Sequence, residues 1–405
     1  MRVLFTTIGS PSHGRAQLPL ARALAAAGHE VLVATTPSVA PVFEHDDVRV
    51  TVSMGDFSPN SFITPELAEP ALRPGLDDAE RQAAFRGVLF GAMAGPMAAE
   101  LLDRSLPVAR EFRPDLVLRD GMDLSACLVA ESLGVPHLPT PSGTSNLVDP
   151  ADVLEGLNTL RAKHGLPTKD DPLSIVPHGR VDYVPAAFSF AEHLPPSELS
   201  YRQTVSVDRG AALPRWIAEL PTDRPLVLAA LGTALPMIKK MAAEDDQGRP
   251  PFPVPDPEQT LRSMIEAVSR LDECTVVVAT SGIPADTAAL PPHVRVTDRV
   301  PQPLLLEAVD LFLTHGGFNS IRESLRTATP MAVLPQFGDQ FGNAARVQRL
   351  GLGRMITDTA PDGITETLRA VLADPGAAAT AREARLAMLT LPEIDSAVSD
   401  LEKIV

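Results

Sequence analysis

Apolar residues along this chain fall into short unbroken runs, and between the runs lie stretches where apolar positions recur every three or four residues. The opening segment shows the rule. "RVLFTT" reads as a buried strand, "IGSPSHGRAQ" as a loop, "LPLARALAAAG" as a helix and "HEVLVAT" as a second strand. Strands and helices alternating in this way predict a parallel sheet with helices on both faces. "PDLVLRD", "DLSACLVAESLG" and "VPHLPT" continue the pattern. A second set begins with "PLVLAALGT" (Pro225–Thr233) and runs through "TVVVAT" (Thr275–Thr280), "VRVTDRV", "VDLFLTHGG" and "PMAVLPQ". Two such sets predict two Rossmann-like domains.

Between the sets, Phe190 to Arg224 is rich in Pro and polar residues and lacks periodicity, so the linker is placed within Pro195–Pro221. The expected division is an N-terminal domain over 1–205, a linker over 206–222 and a C-terminal domain over 223–385. Residues 56–100 and 143–185 interrupt the first set with Pro-broken helical segments, among them "RQAAFRGVLFGAMAGPMAAELLDRSL". These read either as ordinary core helices or as a cap with apolar faces suited to an apolar ligand. The acidic, Pro-rich stretch Met241–Gln259 reads as an exposed loop.

Composition narrows the partners. At 405 residues the chain is long enough for two full hydrophobic cores. A formal net charge of −16 argues against nucleic acid or an anionic membrane surface as the main partner. No apolar run approaches the roughly 18–20 residues that span a bilayer, and "MRVLFTTIGS" is too short for a signal-peptide core. Cys127 and Cys274 read as buried thiols in a reducing compartment rather than as a disulfide. The expectation is a cytoplasmic protein with neither membrane insertion nor a nucleic-acid partner.

Ligands of such sheets sit at the carboxyl ends of the strands. After the first strand, Gly9 and Gly14 do not make G-x-G-x-x-G, no G-K-[ST] follows, and "VATTPS" lacks an acidic residue for an NAD ribose. A nicotinamide dehydrogenase is therefore disfavoured. The same loop carries His13, which either caps the turn or takes a proton near neutral pH. "LVLRD" brings Asp120 to the same edge, either as a helix cap or as the carboxylate that fixes the imidazole tautomer. In the second set, "THGGFNSIRESL" (Thr314–Leu325) puts two glycines at the mouth of a helix predicted over Phe318–Arg326. Close backbone approach and the helix N-terminus suit a phosphate. Gly232–Thr233 adds donors, Glu323 is a carboxylate suited to a ribose diol, and Asp339–Gln340 of "FGDQFGN" suits sugar hydroxyls. No D-x-D occurs, so a carboxylate-held metal is not indicated. The helix dipole and a cationic His315 are left to stabilise a leaving diphosphate.

The span from Arg299 to Asn343, "RVPQPLLLEAVDLFLTHGGFNSIRESLRTATPMAVLPQFGDQFGN", closely resembles the nucleotide-sugar signature of family 1 glycosyltransferases. "SHGRAQLPLARALAAAGHEVLVAT" is similar to the acceptor-domain opening of bacterial members that act on macrolides and other polyketides. The resemblance implies an α/β GT-B fold, two Rossmann-like domains facing across a cleft, with the sugar donor on the C-terminal domain and the acceptor on the N-terminal one. It also implies a C-terminal helix within 386–405 packing back on the N-terminal domain. Carried over by position, His13 is the general base and Asp120 its orienting partner. Thr233, His315, Gly317, Asn319 and Ser320 meet the diphosphate, Glu323 the ribose, Asp339 and Gln340 the sugar, and Val300 and Gln302 the nucleobase. Arg299 stands where plant members stack a Trp, and a guanidinium plane can stack too. The first loop departs from the family's frequent "GHVxP", having "HGRAQ" instead. The implied activity is inverting transfer of a hexose from a nucleoside-diphosphate sugar to a hydroxyl of a small apolar natural product such as a macrolide or polyketide. No metal or cofactor is expected, and the chain is a monomer or homodimer. Glu323 and the "HGGFNS" form point to a UDP-sugar. The alternatives are a dTDP-deoxysugar-dependent antibiotic glycosyltransferase and a non-catalytic GT-B homologue that activates a partner transferase.

Overall fold

The computed structural model describes residues 1–57, 59–202, 205, 214–233 and 255–405. It divides into two compact units. In the first, β1 (Arg2–Thr7), β2 (Glu30–Thr35), β3 (Arg49–Val52), β4 (Leu116–Asp120) and β5 (His137–Thr140) form one parallel sheet in the order β3-β2-β1-β4-β5. Val3 pairs with Val31 on one side and Leu116 on the other. Successive side chains of a strand point to opposite faces, and β1 shows the consequence. Leu4 enters one apolar core while Val3 and Phe5 enter the other. Both faces are covered, which is why these strands read as unbroken apolar runs.

Six helices of seven residues or more are described between β1 and β5 and just beyond: α1 (Pro11–Ala26), α2 (Pro65–Leu72), α3 (Asp78–Ala92), α4 (Ala98–Phe112), α5 (Ser125–Leu133) and α6 (Pro150–Lys163). The Pro-broken segments form helices because each has its own N-cap. Thr64, Asp77 and Asp149 accept from backbone N–H groups of α2, α3 and α6, satisfying donors the helix leaves unpaired. "RQAAFRGVLFGAMAGPMAAELLDRSL" becomes two helices joined at a bulged turn, Met93–Met97, where Gly95 leaves helical backbone angles (φ −109°, ψ −105°) beside Pro96. The kink turns Phe90, Met93 and Met97 into one core with Met54 and Met122. A short parallel pair, β6 (Val181–Asp182) and β7 (Leu199–Ser200), follows.

The second unit repeats the winding. Its parallel sheet consists of β8 (Leu226–Ala230), β9 (Thr275–Ala279), β10 (Val294–Thr297), β11 (Leu311–Thr314), β12 (Met331–Val333) and β13 (Gly353–Met355), in the order β10-β9-β8-β11-β12-β13. The same alternation sorts its side chains. Val227, Val276, Val278, Leu311 and Leu313 face one core, Leu228, Val277 and Phe312 the other. The helices are α7 (Pro257–Val268), α8 (Phe318–Thr327), α9 (Gln340–Arg349), α10 (Pro361–Leu372) and α11 (Pro375–Leu389), the last packed on α8.

Three boundaries differ from the sequence expectation. Of the linker expected over 206–222, residues 206–213 lie outside the described residues. The rest belongs to the second unit, because a helical turn at Arg215–Ala218 buries Ile217 in that unit's core. Its neighbour Trp216 lies under the Arg295 guanidinium, 4.0 Å from the ring centre. Of the loop expected over Met241–Gln259, residues 241–254 lie outside the described residues, and its end is the capped start of α7, with Asp256 accepting from Glu258 N. The chain rejoins the first unit at Pro392 rather than at residue 386, since α11 continues to Leu389 in the second. Beyond it, α12 (Ser396–Glu402) buries Ala397 and Leu401 in the core of α1, β1 and β2. Tyr201 donates to Asp400 at 3.0 Å and so fastens the same helix.

Cys127 and Cys274 are buried free thiols, one in each unit. Among the described residues no helix is long and apolar enough to cross a membrane.

Candidate functional site

In the first unit, the chain leaves β1 through Ile8, Gly9 and Ser10 and enters α1 at Pro11, a residue preset for a helix's first turn. His13 therefore sits in that turn, at the carboxyl edge of the sheet, with its N–H bonded to the Ser10 carbonyl at 2.9 Å. One strand away, β4 ends in Asp120. The two side chains meet: His13 Nδ1 is 2.7 Å from Asp120 Oδ2. The carboxylate is 2% exposed and the imidazole 20%. The other carboxylate oxygen, Oδ1, accepts from the Met122 N–H at 2.9 Å, so Asp120 is held at both ends. A carboxylate fixed in this way places the imidazole proton on Nδ1 and leaves the lone pair on Nε2. Nε2 lies beside Gly9, and the methyl of Met122 flanks the same glycine. Met122 belongs to the core that also holds Met54, Phe90, Met93 and Met97. An imidazole paired with a carboxylate thus stands at the margin of an apolar, methionine-rich cluster. Asp123, a turn further on, is fully buried and accepts from Ser125 N and Oγ. Burial pushes its carboxyl above the usual range.

His137 is buried in β5, and burial lowers its pKa well below the ordinary value. His29 bridges toward Glu402 of α12 at 3.1 Å. Neither stands near His13's edge of the sheet as a rival base.

In the second unit, β11 ends at Thr314 and α8 begins at Phe318, with His315, Gly316 and Gly317 between. His315 is not exposed toward a ligand as a cation. Its ring lies between Gly232 and Gly317, and a Cβ built on either glycine would come within 2.4–2.5 Å of ring atoms. Only glycine leaves that slot open. Burial lowers the His315 pKa to about 4, opposed in part by the Ala230 carbonyl. The expectation of a cationic His315 is therefore corrected. Near neutral pH the ring is uncharged, with one nitrogen a donor and the other an acceptor. The positive charge behind the turn is Arg322 instead, which is 1% exposed. Its guanidinium donates to Asn319 Oδ1 and lies 5.3 Å from the Phe318 ring centre.

The other expected residues fall into two groups. Gln302, Ser320 and Glu323 come together: Gln302 Nε2 donates to Glu323 Oε2 at 2.7 Å and to Ser320 Oγ at 3.1 Å. Val300 packs on the core beside Trp216, while Arg299 extends into solvent, 84% exposed. Thr233 is exposed just past Gly232. Asp339 and Gln340 open α9, but Gln340 is 3% exposed. Its Oε1 accepts from the N–H groups of Gln336 (2.8 Å) and Phe337 (3.3 Å). That oxygen shapes the loop; it is not presented to a sugar hydroxyl. Asp339 Oδ2 accepts from Asn343 Nδ2, which also donates to the Gly316 carbonyl at 3.0 Å. Asn343 thus ties the loop after β12 to the glycine turn after β11. Sequence reasoning passed over both Asn343 and Arg322. A guanidinium three residues beyond Asn319, on a helix otherwise buried, was the available signal. Among the described residues no group of His, Cys, Asp and Glu is arranged to hold a metal ion.

Comparison with known proteins places this arrangement. Residues 22–232 match the N-terminal domain of the erythromycin biosynthesis protein CIII-like family, and residues 262–404 match its C-terminal domain. His13 precedes the first matched stretch; the glycine turn and α8 lie within the second. The chain is 26% identical to the aclacinomycin-T 2-deoxy-L-fucose transferase of Streptomyces galilaeus, with 100% of this chain and 96% of the relative covered. It is 28% identical to the L-demethylnoviosyl transferase of Streptomyces niveus, over 87% and 84%. Among solved structures, the spinosyn rhamnosyltransferase SpnG complexed with thymidine diphosphate superposes with a TM-score of 0.75 at 23% identity, covering 99% of this chain and 100% of that one. Two wound parallel sheets, a glycine turn opening α8 and a family match over both units make one case: the chain belongs to the erythromycin biosynthesis protein CIII-like family and is a bacterial natural-product glycosyltransferase of family 1 with the GT-B fold.

Proposed function

We propose that this enzyme transfers a deoxyhexose, with inversion, from a thymidine-diphosphate sugar to a hydroxyl of a small apolar polyketide or macrolide. The observation that carries the reading is the His13–Asp120 pair at the margin of the methionine cluster. His13 Nε2 takes the proton of the acceptor hydroxyl, whose own acidity is far too weak for attack at neutral pH. The acceptor oxygen bonds to the anomeric carbon as the bond to the diphosphate breaks, and the imidazolium that forms is stabilised by Asp120. The departing diphosphate is received by the N–H groups at the start of α8, by the Asn319 amide and by neutral His315, with Arg322 as the charge behind them. Thioether side chains adapt to varied apolar shapes, which suits a polycyclic or macrocyclic acceptor.

This reading takes thymidine diphosphate as the donor nucleotide in place of the UDP expected from the sequence. Supporting thymidine diphosphate are the relatives, one a 2-deoxy-L-fucose transferase and one a structure holding that nucleotide. Glu323 bears on it too. One of its carboxylate oxygens already accepts from Gln302, and a deoxyribose with a single ring hydroxyl asks less of that carboxylate than a ribose diol. UDP remains the second reading, favoured by the presence of Glu323 itself. Calorimetry with dTDP and UDP tests the choice: dTDP is expected to bind about tenfold more tightly, about 1.4 kcal/mol. Tighter binding of UDP would return the donor to a ribonucleotide. Failure of both nucleotides to bind would remove the transferase reading of the second unit.

A further inference from the structure

We propose that Gln17 is a positioning residue for His13, an amide clamp that fixes the first turn of α1 against the strand ends carrying the general base's partner. The inference rests on the proposed role of His13 and deepens it. Gln17 lies one helical turn beyond His13, on the same face of α1, and is 1% exposed. Its amide reaches several strand ends at once. Oε1 accepts from the Thr7 hydroxyl, and Nε2 donates to the Thr6 carbonyl at 3.1 Å and to Thr140 Oγ1 at 2.8 Å. Thr140 Oγ1 in turn donates to the Arg119 carbonyl at 2.9 Å. Arg119 directly precedes Asp120. A continuous set of hydrogen bonds therefore runs from the helix that bears the imidazole, through β1 and β5, to the residue before the carboxylate.

The helix needs such a clamp at this place. Pro19 stands inside α1 and has no N–H to give the carbonyl of Arg15, so the ladder is weakest just behind His13. An amide is suited to the task because it offers an acceptor to a hydroxyl and donors to a carbonyl and a second hydroxyl. A buried side chain lacking either end would leave a partner unsatisfied. The stretch "HGRAQ", where the sequence departs from the family's frequent "GHVxP", carries this residue.

The test separates positioning from folding. Gln17→Met keeps the volume and removes the hydrogen bonds, and Thr140→Val removes one link of the same set. With each protein shown to be folded by its melting curve, nitrogen-edited NMR of the His13 imidazole reports whether its proton stays on Nδ1 against Asp120. Turnover and donor binding are measured in parallel. Gln17→Met is expected to lower kcat about tenfold or more while leaving KM for the nucleotide sugar and dTDP affinity unchanged, the effect of a misplaced base. It is expected to alter the Nδ1–H signal, and to cost nothing further in a His13→Ala background. Thr140→Val should do the same to a smaller degree. A folded Gln17→Met protein with an unaltered His13 signal and normal kcat would overturn the proposal. So would equal losses with and without His13. If His13→Ala itself keeps normal turnover, the base assignment fails, while the NMR arm still decides whether Gln17 holds the imidazole.

Discussion

Two histidines stand at corresponding places in the two units, each at the carboxyl edge of a wound parallel sheet, and their surroundings are opposite. His13 is partly exposed and lies 2.7 Å from a buried carboxylate. His315 is enclosed between two glycines, and its pKa is held down to about 4. The difference fits the two tasks proposed for them. A base must accept a proton during the reaction, so it needs a carboxylate to stabilise the imidazolium. A donor to a diphosphate must keep its N–H and its neutral form, so burial without a carboxylate suits it.

Removing the first histidine is the most severe way to break this comparison. His13→Ala is expected to lower turnover by roughly 10²–10⁴-fold, the usual worth of a general base, with dTDP affinity unchanged by calorimetry. Asp120→Asn should cost less, and the double variant little more than His13→Ala alone, because the two act as a unit. Near-normal turnover in His13→Ala would mean that the two histidines are not divided as described.

Closing the slot around the second histidine comes next. Gly317→Ala brings a methyl group to 2.5 Å from the His315 ring. The imidazole or the turn must shift, which is expected to destabilise the second unit by about 1–3 kcal/mol and to weaken dTDP binding in the same preparation. Unchanged melting and unchanged affinity would show that the ring has room to spare.

The smallest effect sharpens the electrostatic side of the contrast. An imidazole in the unfolded chain titrates near 6.5, whereas His315 in place titrates near 4. Between those values the unfolded chain holds the extra proton, so stability is full above the upper one and falls as pH drops toward the lower. At pH 5 the loss from this residue is about 2 kcal/mol. His315→Asn should remove that loss at pH 5 and flatten the second unit's stability across the acid range. Trp216, the single tryptophan of the chain, lies in this unit, so its emission follows the transition without interference from the first. Parallel pH curves for the two proteins would contradict the buried, neutral imidazole.

The strands and helices of both sheets were legible because burial on two faces writes itself as apolar runs, and α8 as a helix opened by glycines. The approach of His13 to Asp120 was legible as two residues on neighbouring strand ends. What could not be read were contacts set by side-chain direction. "HGG" reads as backbone space for a phosphate, yet Gly317 also makes space for the ring two residues before it, and Gly232 does so from far off in sequence. Gln340 reads as a sugar ligand by position, and what could not be read is that its Oε1 accepts from N–H groups of its own loop. Ile217 looked like linker because a single buried turn leaves no periodicity to detect.

The return of the chain to the first unit at Pro392 has a consequence for synthesis. Ile394, Ala397 and Leu401 complete the core around Leu18, Leu20 and Val33, yet they are made only after the whole of the second unit. At about 5–20 residues per second, the first unit waits on the order of ten to forty seconds with that face of its core uncovered while the second is being made. Nascent chains of this enzyme therefore carry an unfinished N-terminal domain until α12 has been made, and a holdase acting on the apolar face under α12 has its opportunity in that interval.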